Sequence, residues 1–196
     1  MNGFGLALIP IDEPQVIQKT NQMKANGIQV MTFNSELKDI RGFRYIGQDH
    51  FKVGRVAGGL MTKLLPDGGE VGIISSKPLS CHPDRMNSFR TRPAENDNHI
   101  SVIEISENQD GKADTFKITL DYLNRHPNLR GLYLSGNGNI GVKSALAIAQ
   151  PDHRISIICH DLSEETEELL NDGIVDFVIS QNALDQGCQI VTKEML

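Results

Sequence analysis

The hydrophobic period of this chain switches repeatedly between two values, and that alternation limits the fold more than any other feature of the sequence. Short aliphatic runs at Gly5–Ile9, Gln29–Phe33, Tyr45–Gly47, Glu70–Ser75, Ile100–Ile105, Gly131–Ser135, Ile155–Cys159 and Phe177–Ser180 read as strands. Between them lie amphipathic stretches of helix length near Pro14–Asn26, His50–Leu65, Asp84–Arg90, Ala113–Arg125, Ile140–Ala149, Ser163–Asp172 and Ala183–Met195. Several strand runs are too uniformly apolar for a sheet with one wet face, which predicts parallel strands covered on both sides. A β-α-β-α order with short connections therefore predicts an α/β fold built on doubly wound parallel sheets.

Helix boundaries carry matching signals. Asp12 or Glu13 precedes Pro14 at a first-turn position, Asp49 can cap the second helix, Ser163 with Thr166 and Glu167 suits a helix start, and Gly27 and Gly173 suit helix stops. Pro66-Asp67-Gly68-Gly69 interrupts the rhythm between a long glycine-containing helix and a fresh aliphatic strand, and is expected to be a crossing between lobes. No repeat of 20–50 residues and no low-complexity tract is present.

Composition excludes several classes. At 196 residues, with 39% hydrophobic and 22% charged side chains, the chain suits one globular domain or two small ones. No apolar run approaches the ~20 residues that span a bilayer, so no membrane partner is expected. The start Met1-Asn2-Gly3-Phe4-Gly5 lacks the basic and apolar regions of a signal peptide, which predicts a cytoplasmic location. Cys81, Cys159 and Cys188 are odd in number and widely spaced, so reduced thiols are expected rather than a disulfide framework or zinc ribbon. A formal net charge of -6 argues against this segment gripping a phosphate backbone; any contact with DNA would need another domain.

In open parallel sheets, ligands bind beyond the carboxyl ends of the strands. Those positions are polar here: Asn34-Ser35-Glu36, a loop with His82 and Arg85, Gly136-Asn137-Gly138-Asn139, His160-Asp161, and Gln181. Amides, a carboxylate and a guanidinium together offer donors and acceptors that match the paired hydroxyls of a sugar. Taken singly, an Asn or Asp at a strand end is as well explained as a turn former; the convergence of five such positions favours a ligand site.

Tyr45-Ile46-Gly47-Gln48-Asp49 followed by Gly54-Arg55-Val56-Ala57-Gly58, Arg85-x-x-x-Phe89, Asn137 opening a helix, His160-Asp161 after a strand, and Ser180-Gln181 before Gln186-Gly187 resemble the sensor domains of LacI-type regulators and type I periplasmic sugar-binding proteins. The resemblance covers nearly the whole chain, and it rests on the order and spacing of these pieces. It implies a periplasmic-binding-protein-like type I fold of two doubly wound lobes: 1–66 a partial N-terminal lobe, 67–180 the C-terminal lobe, and 181–196 a hinge crossing and a helix returning to the first lobe. Arg85, Asn137, Asp161 and Gln181 match ligand-contacting positions, Asn34 a polar position of the first lobe, and His160 a place often held by a residue that packs on the sugar ring. The family's opening β-α-β stretch and closing strands are not matched, so the chain is expected to be clipped at both ends. Pro93 and Ser88 depart from the pattern around the helix that carries Arg85.

The function implied is the effector-binding domain of a regulator that closes two lobes on a small sugar or polyol, with a homodimer as its working form. Operator DNA would be reached only through a helix-turn-helix domain that this chain lacks. The alternative from the same resemblance is the solute-binding receptor of an ABC sugar transporter. A second alternative is an NAD-dependent oxidoreductase, because Gly136-x-Gly138-x-x-Gly141 follows a strand, opens a helix and precedes Asp161 by about 20 residues. Such a motif normally opens the first βαβ unit of its domain, whereas this one lies deep in a series of them.

No G-x-S-x-G, P-loop lysine or H-E-x-x-H is present, so no enzyme and no cofactor is expected. His82 with Asp84 and His160 with Asp161 lack a third ligand for a catalytic metal. His50, His99, His126 and His153 sit at element ends and are expected to be mostly solvated. Gly54, Ala57, Gly58 and Gly59 allow a close helix contact or a dimer face, with packing on the helix's own sheet as the first expectation.

Overall fold

The computed structural model describes residues 5–37, 44–76, 81–95, 99–109 and 111–194. Residues 1–4, where a signal peptide was sought, and Met195, the expected end of the last helix, lie outside them. Contacts divide the chain into two units: Met1–Asp49 with Pro78–Cys81 and Gln181–Leu196, and His50–Lys77 with His82–Ser180.

The smaller unit holds a three-stranded parallel sheet in the order β1-β2-β3, made of β1 (Gly5–Leu8), β2 (Gln29–Phe33) and β3 (Arg44–Ile46). Helix α1 (Pro14–Ala25) packs on β2 and α7 (Ala183–Glu194) on β3. Gly27 turns the chain out of α1 at φ 79°, a left-handed conformation that glycine adopts without a side-chain penalty. The Tyr45 ring folds over Gly47, where a Cβ would stand 2.2 Å from the tyrosine oxygen. The same hydroxyl donates to the Gln48 carbonyl at 3.0 Å, with the Asn34 carbonyl 3.4 Å away.

The larger unit holds five parallel strands in the order β5-β4-β6-β7-β8: β4 (Gly69–Ser76), β5 (Ile100–Asn108), β6 (Leu129–Leu134), β7 (Ser156–His160) and β8 (Phe177–Ile179). Alternate residues of each strand feed two separate cores. Leu132, Leu134, Ile157 and Cys159 point to one, with Tyr122 of α4 (Lys112–Arg125), Val142 of α5 (Gly141–Ala149) and Leu169 of α6 (Glu164–Asn171). Val71, Ile73, Tyr133 and Ile158 point to the other, with Ala57 and Met61 of α2 (His50–Leu64) and Phe89 of α3 (Cys81–Ala94). Each large aliphatic side chain so buried contributes roughly 1.5–3 kcal/mol, which explains why this sheet needs helices on both faces. Among the described residues, no helix is long and apolar enough to cross a membrane.

Two expectations need correction. The division between units falls at Asp49/His50 and not at Pro66, because α2 packs on the five-stranded sheet. Its small residues do two jobs: Ala57 faces that sheet, while Gly54 and Gly58 lie against α3. A Cβ on Gly54 would stand 2.1 Å from Ser88 Oγ and 2.2 Å from the Arg85 carbonyl oxygen. Second, α3 spans Cys81–Ala94 rather than stopping at Arg90. Pro93 falls in its last turn, where the missing N–H frees only the Phe89 carbonyl. That carbonyl lies 2.9 Å from where a Gly58 Cβ would be.

Candidate functional site

Strand order reverses in the larger unit between β4 and β6, since β5 follows β4 outward to one edge while β6, β7 and β8 run to the other. Ligands of open parallel sheets bind in the crevice at such a reversal, beyond the strands' carboxyl ends. Ser75 and Ser76 end β4 there, Ser135 follows β6, and α3 carries His82 and Arg85. A spacing of three residues places His82 and Arg85 on one side of the helix.

Both side chains meet the Ser135 carbonyl. His82 Nδ1 lies 2.8 Å from it and Arg85 Nη1 donates to it at 3.4 Å. A carbonyl only accepts, so His82 carries its proton on Nδ1. Burial pushes the His82 pKa down to about 4, aided by the charge of Arg85, so the ring is neutral at pH 7. Arg85 is 1% exposed, yet its Nε and Nη2 have no hydrogen-bond partner among the described residues. A buried cation with open donors is costly unless another group completes it.

One turn beyond Arg85, the Phe89 ring stacks on Tyr133 at 4.4 Å and 10°. Tyr133 in turn meets His160, its oxygen 2.7 Å from Nε2. His160 ends β7, is fully buried, and has its pKa pushed well below the ordinary value by burial and by Arg85. The residue expected to pack on a sugar ring is thus buried against Tyr133. His50 is also buried, contrary to the expectation of a solvated residue.

The loop after β6 is held by a closed set of buried and partly buried bonds. Asn137 N–H donates to Ser76 Oγ at 2.9 Å, Ser76 Oγ donates to Asn108 Oδ1 at 2.6 Å, and Asn108 Nδ2 donates to the Asn137 carbonyl at 2.7 Å and to Thr115 Oγ1 at 2.8 Å. The Asn137 side chain itself is exposed. Asn139 donates from Nδ2 to the His160 carbonyl at 3.2 Å, and its buried Oδ1 has no partner among the described residues. The glycines of the G-x-G-x-x-G stretch are accounted for by packing: a Cβ at Gly136, Gly138 or Gly141 would meet Ser76, Gly111 and Lys112 atoms respectively at 2.2–2.3 Å.

Asp161 follows β7 with φ 65°, and its carbonyl accepts from Thr166 Oγ1 at 2.7 Å within the Ser163–Thr166 capping box. In the smaller unit, Asn34 follows β2 with φ 61° and donates its N–H to the Ile46 carbonyl at 3.0 Å. Asp and Asn tolerate this left-handed backbone better than most residues, so both positions have a structural reason beside any ligand role. Gln181 follows β8 and groups with the smaller unit; its carbonyl accepts from Gln186 Nε2 at 2.8 Å. The larger unit therefore carries Asn137, His160 and Asp161 at its strand ends and Arg85 on α3, and the smaller unit carries Asn34 and Gln181. Sequence reasoning left His82, Asn108 and Asn139 out of the ligand set. The spacing of His82 to Arg85 was a usable signal for one; nothing in the sequence announced Asn108 at the end of a nine-residue strand.

A family profile described as a periplasmic binding protein domain matches residues 4–192. The chain belongs to that family. Among solved structures, this periplasmic binding protein domain is similar to a sugar ABC transporter sugar-binding protein from Bacillus halodurans, with 26% identity and a TM-score of 0.78 over 87% of this chain and 59% of that one. It is similar to a chain of the XylFII-LytSN complex, with 25% identity and a TM-score of 0.88 over 96% and 69%. It shares its fold with an ABC transporter solute-binding protein from Burkholderia graminis in complex with D-arabinose, with 23% identity and a TM-score of 0.84 over 94% and 65%. The domain spans 59% to 69% of the length of these relatives. A comparison with curated protein sequences gave no match.

Proposed function

We propose that this periplasmic binding protein domain is a sugar receptor of the ABC-transport type, which binds a small sugar or polyol and carries out no reaction on it. The observation that carries the reading is Arg85, a buried guanidinium with two open donors at the strand-order reversal. Around it, Asn137, Asn139 and Asp161 supply amides and a carboxylate suited to sugar hydroxyls. The proposal also includes Asn34 and Gln181 of the smaller unit as ligand residues, and His160 as a support beneath the site rather than a ring-packing face.

Two of the three compared structures are named as ABC transporter sugar- or solute-binding proteins, and one of those was solved with D-arabinose. They support the transport reading better than the regulator reading of the sequence. A binding domain of either kind works by having different affinity for the ligand in its two conformations, and only that difference shifts the equilibrium.

The test is a thermal-shift screen of the purified chain against monosaccharides and polyols, alongside Arg85→Met. A ligand present at 100 times its Kd stabilises the native state by about 2.7 kcal/mol through mass action. The reading expects one sugar class to raise the melting temperature of the parent and leave Arg85→Met unmoved. Equal shifts in both proteins, or a shift with NAD(H) alone, would overturn it.

A further inference from the structure

The loop that follows β6 is tied to three other strands, and one of its side chains is left out of the ties. In the order β5-β4-β6-β7-β8, the loop reaches past the end of β4 to β5 on one side and to β7 on the other. Asn139 makes the β7 tie, through the His160 carbonyl. On the other side, Ser76 at the end of β4 and Asn108 at the end of β5 hold the two backbone groups of Asn137, its N–H and its carbonyl. The exposed side chain of Asn137 takes part in none of these bonds.

One arrangement of protons satisfies this grip. A carbonyl only accepts, so the Asn108 atom 2.7 Å from the Asn137 carbonyl is Nδ2, and the same nitrogen donates to Thr115 Oγ1. That turns Asn108 Oδ1 to Ser76 Oγ, which gives its proton there and accepts the Asn137 N–H. The opposite amide orientation would set Oδ1 against the Asn137 carbonyl, acceptor against acceptor. Ser76, Asn108 and Thr115 are all buried, and a buried polar network with its partners in place is rigid. The loop also lies directly on Ser76, since a Cβ at Gly136 would stand 2.2 Å from its Oγ. A backbone held in this way offers the Asn137 amide in one place, which lowers the ordering cost of binding.

We infer that Ser76 and Asn108 are positioning residues of the ligand site, which fix the backbone of Asn137 so that its amide meets the sugar already oriented. The inference rests on the sugar-receptor reading above, with Asn137 as a ligand residue, and adds two residues that act through it.

A double-mutant cycle on affinity separates this role from a merely structural one. Calorimetric titration of the intact chain with D-arabinose, D-xylose, D-galactose and myo-inositol selects the tightest binder. That compound is then titrated into Asn137→Ala, Asn108→Ala and the double variant. Loss of the Asn137 amide predicts binding about 10-fold weaker. Asn108→Ala is expected to weaken binding about 3-fold or more while Asn137 is present, and by less than about 2-fold once Asn137 is alanine. Ser76→Ala is carried through the same cycle and replaces Asn108→Ala if circular dichroism shows the latter unfolded. Equal weakening in both backgrounds, or unchanged affinity in Asn108→Ala and Ser76→Ala, would overturn the positioning role and leave the receptor reading standing. So would unchanged affinity in Asn137→Ala. Failure of all four compounds to bind the parent would overturn both.

Discussion

Gly54 and Gly59 lie on the same helix, carry the same propensity cost, and face opposite surroundings, so exchanging each for alanine isolates packing from propensity. A Cβ on Gly54 would stand 2.1 Å from Ser88 Oγ and 2.2 Å from the Arg85 carbonyl oxygen, both far inside the 3.4 Å at which ordinary contact begins. Ser88 can rotate away, but the Arg85 carbonyl is helix backbone and cannot. Helices α2 and α3 must then separate, and overpacking of this kind costs about 1–3 kcal/mol, part of it offset by the ~1 kcal/mol that alanine gains over glycine in a helix. On Gly59 the nearest neighbour of a Cβ is Arg92 Nε at 3.8 Å, so Gly59→Ala keeps the propensity gain and meets no obstacle. Denaturant titration at fixed pH is expected to show Gly54→Ala less stable than the parent and Gly59→Ala more stable by up to about 1 kcal/mol. Because the obstructing carbonyl belongs to Arg85, Gly54→Ala is also expected to weaken ligand binding. Equal stability of the two variants would refute the claim that α2 and α3 meet through Gly54.

Acid destabilisation should begin in the histidine range: His82 titrates at about 4 in the folded protein and near 6.5 when unfolded, so the unfolded chain takes up the proton first. Stability is then full above pH 6.5 and falls as pH drops through 4, by about 3 kcal/mol at most from this group; a His82→Asn variant, whose amide can still donate to Ser135, should fall less, and identical pH profiles would sink the assignment. Asp161→Asn keeps a residue that tolerates φ 65° and should lose ligand affinity without losing stability, whereas Asp161→Ala should also lose about 1 kcal/mol to backbone strain; unchanged ligand affinity in Asp161→Asn would remove that residue from the site. Asn108→Ala takes the acceptor from the Ser76 hydroxyl and leaves the Asn137 carbonyl only the longer bond from Thr115 Oγ1 at 3.4 Å, and calorimetric melting should register a loss of about 1–3 kcal/mol; a neutral result would mean that water replaces the amide.

Most of the architecture was readable because two periodicities rarely counterfeit each other over a whole chain. Every expected strand and helix is present within a few residues, apart from the longer α3 and β5. The capping signal at Ser163 and the glycine stops at 27 and 173 are there in the geometry. The unit boundary was misplaced because Pro66-Asp67-Gly68-Gly69 is a strong breaker, and a breaker marks the end of an element without saying which sheet that element packs on. Long-range packing settles that α2 belongs with β4–β8: Ala57 and Met61 pack on that sheet, and Gly54 and Gly58 lie against α3. The polar residues at strand ends were legible as a set, but their separate roles were not. His160 and Asp161 are neighbours in sequence, yet strand alternation sends one ring into the core and leaves the next residue at the rim. Asn108 was hidden because its importance comes from bonds to Ser76 and to the loop at Asn137, 32 and 29 residues away.

The central claim is that a sugar sits at the β4/β6 reversal against Arg85, and a crystal structure of the chain with the tightest ligand from the titrations tests it most directly. The account predicts ligand density within hydrogen-bond distance of Arg85 Nε and Nη2, with Asn137 or Asp161 also in contact. Density placed anywhere that leaves those two donors open would contradict it.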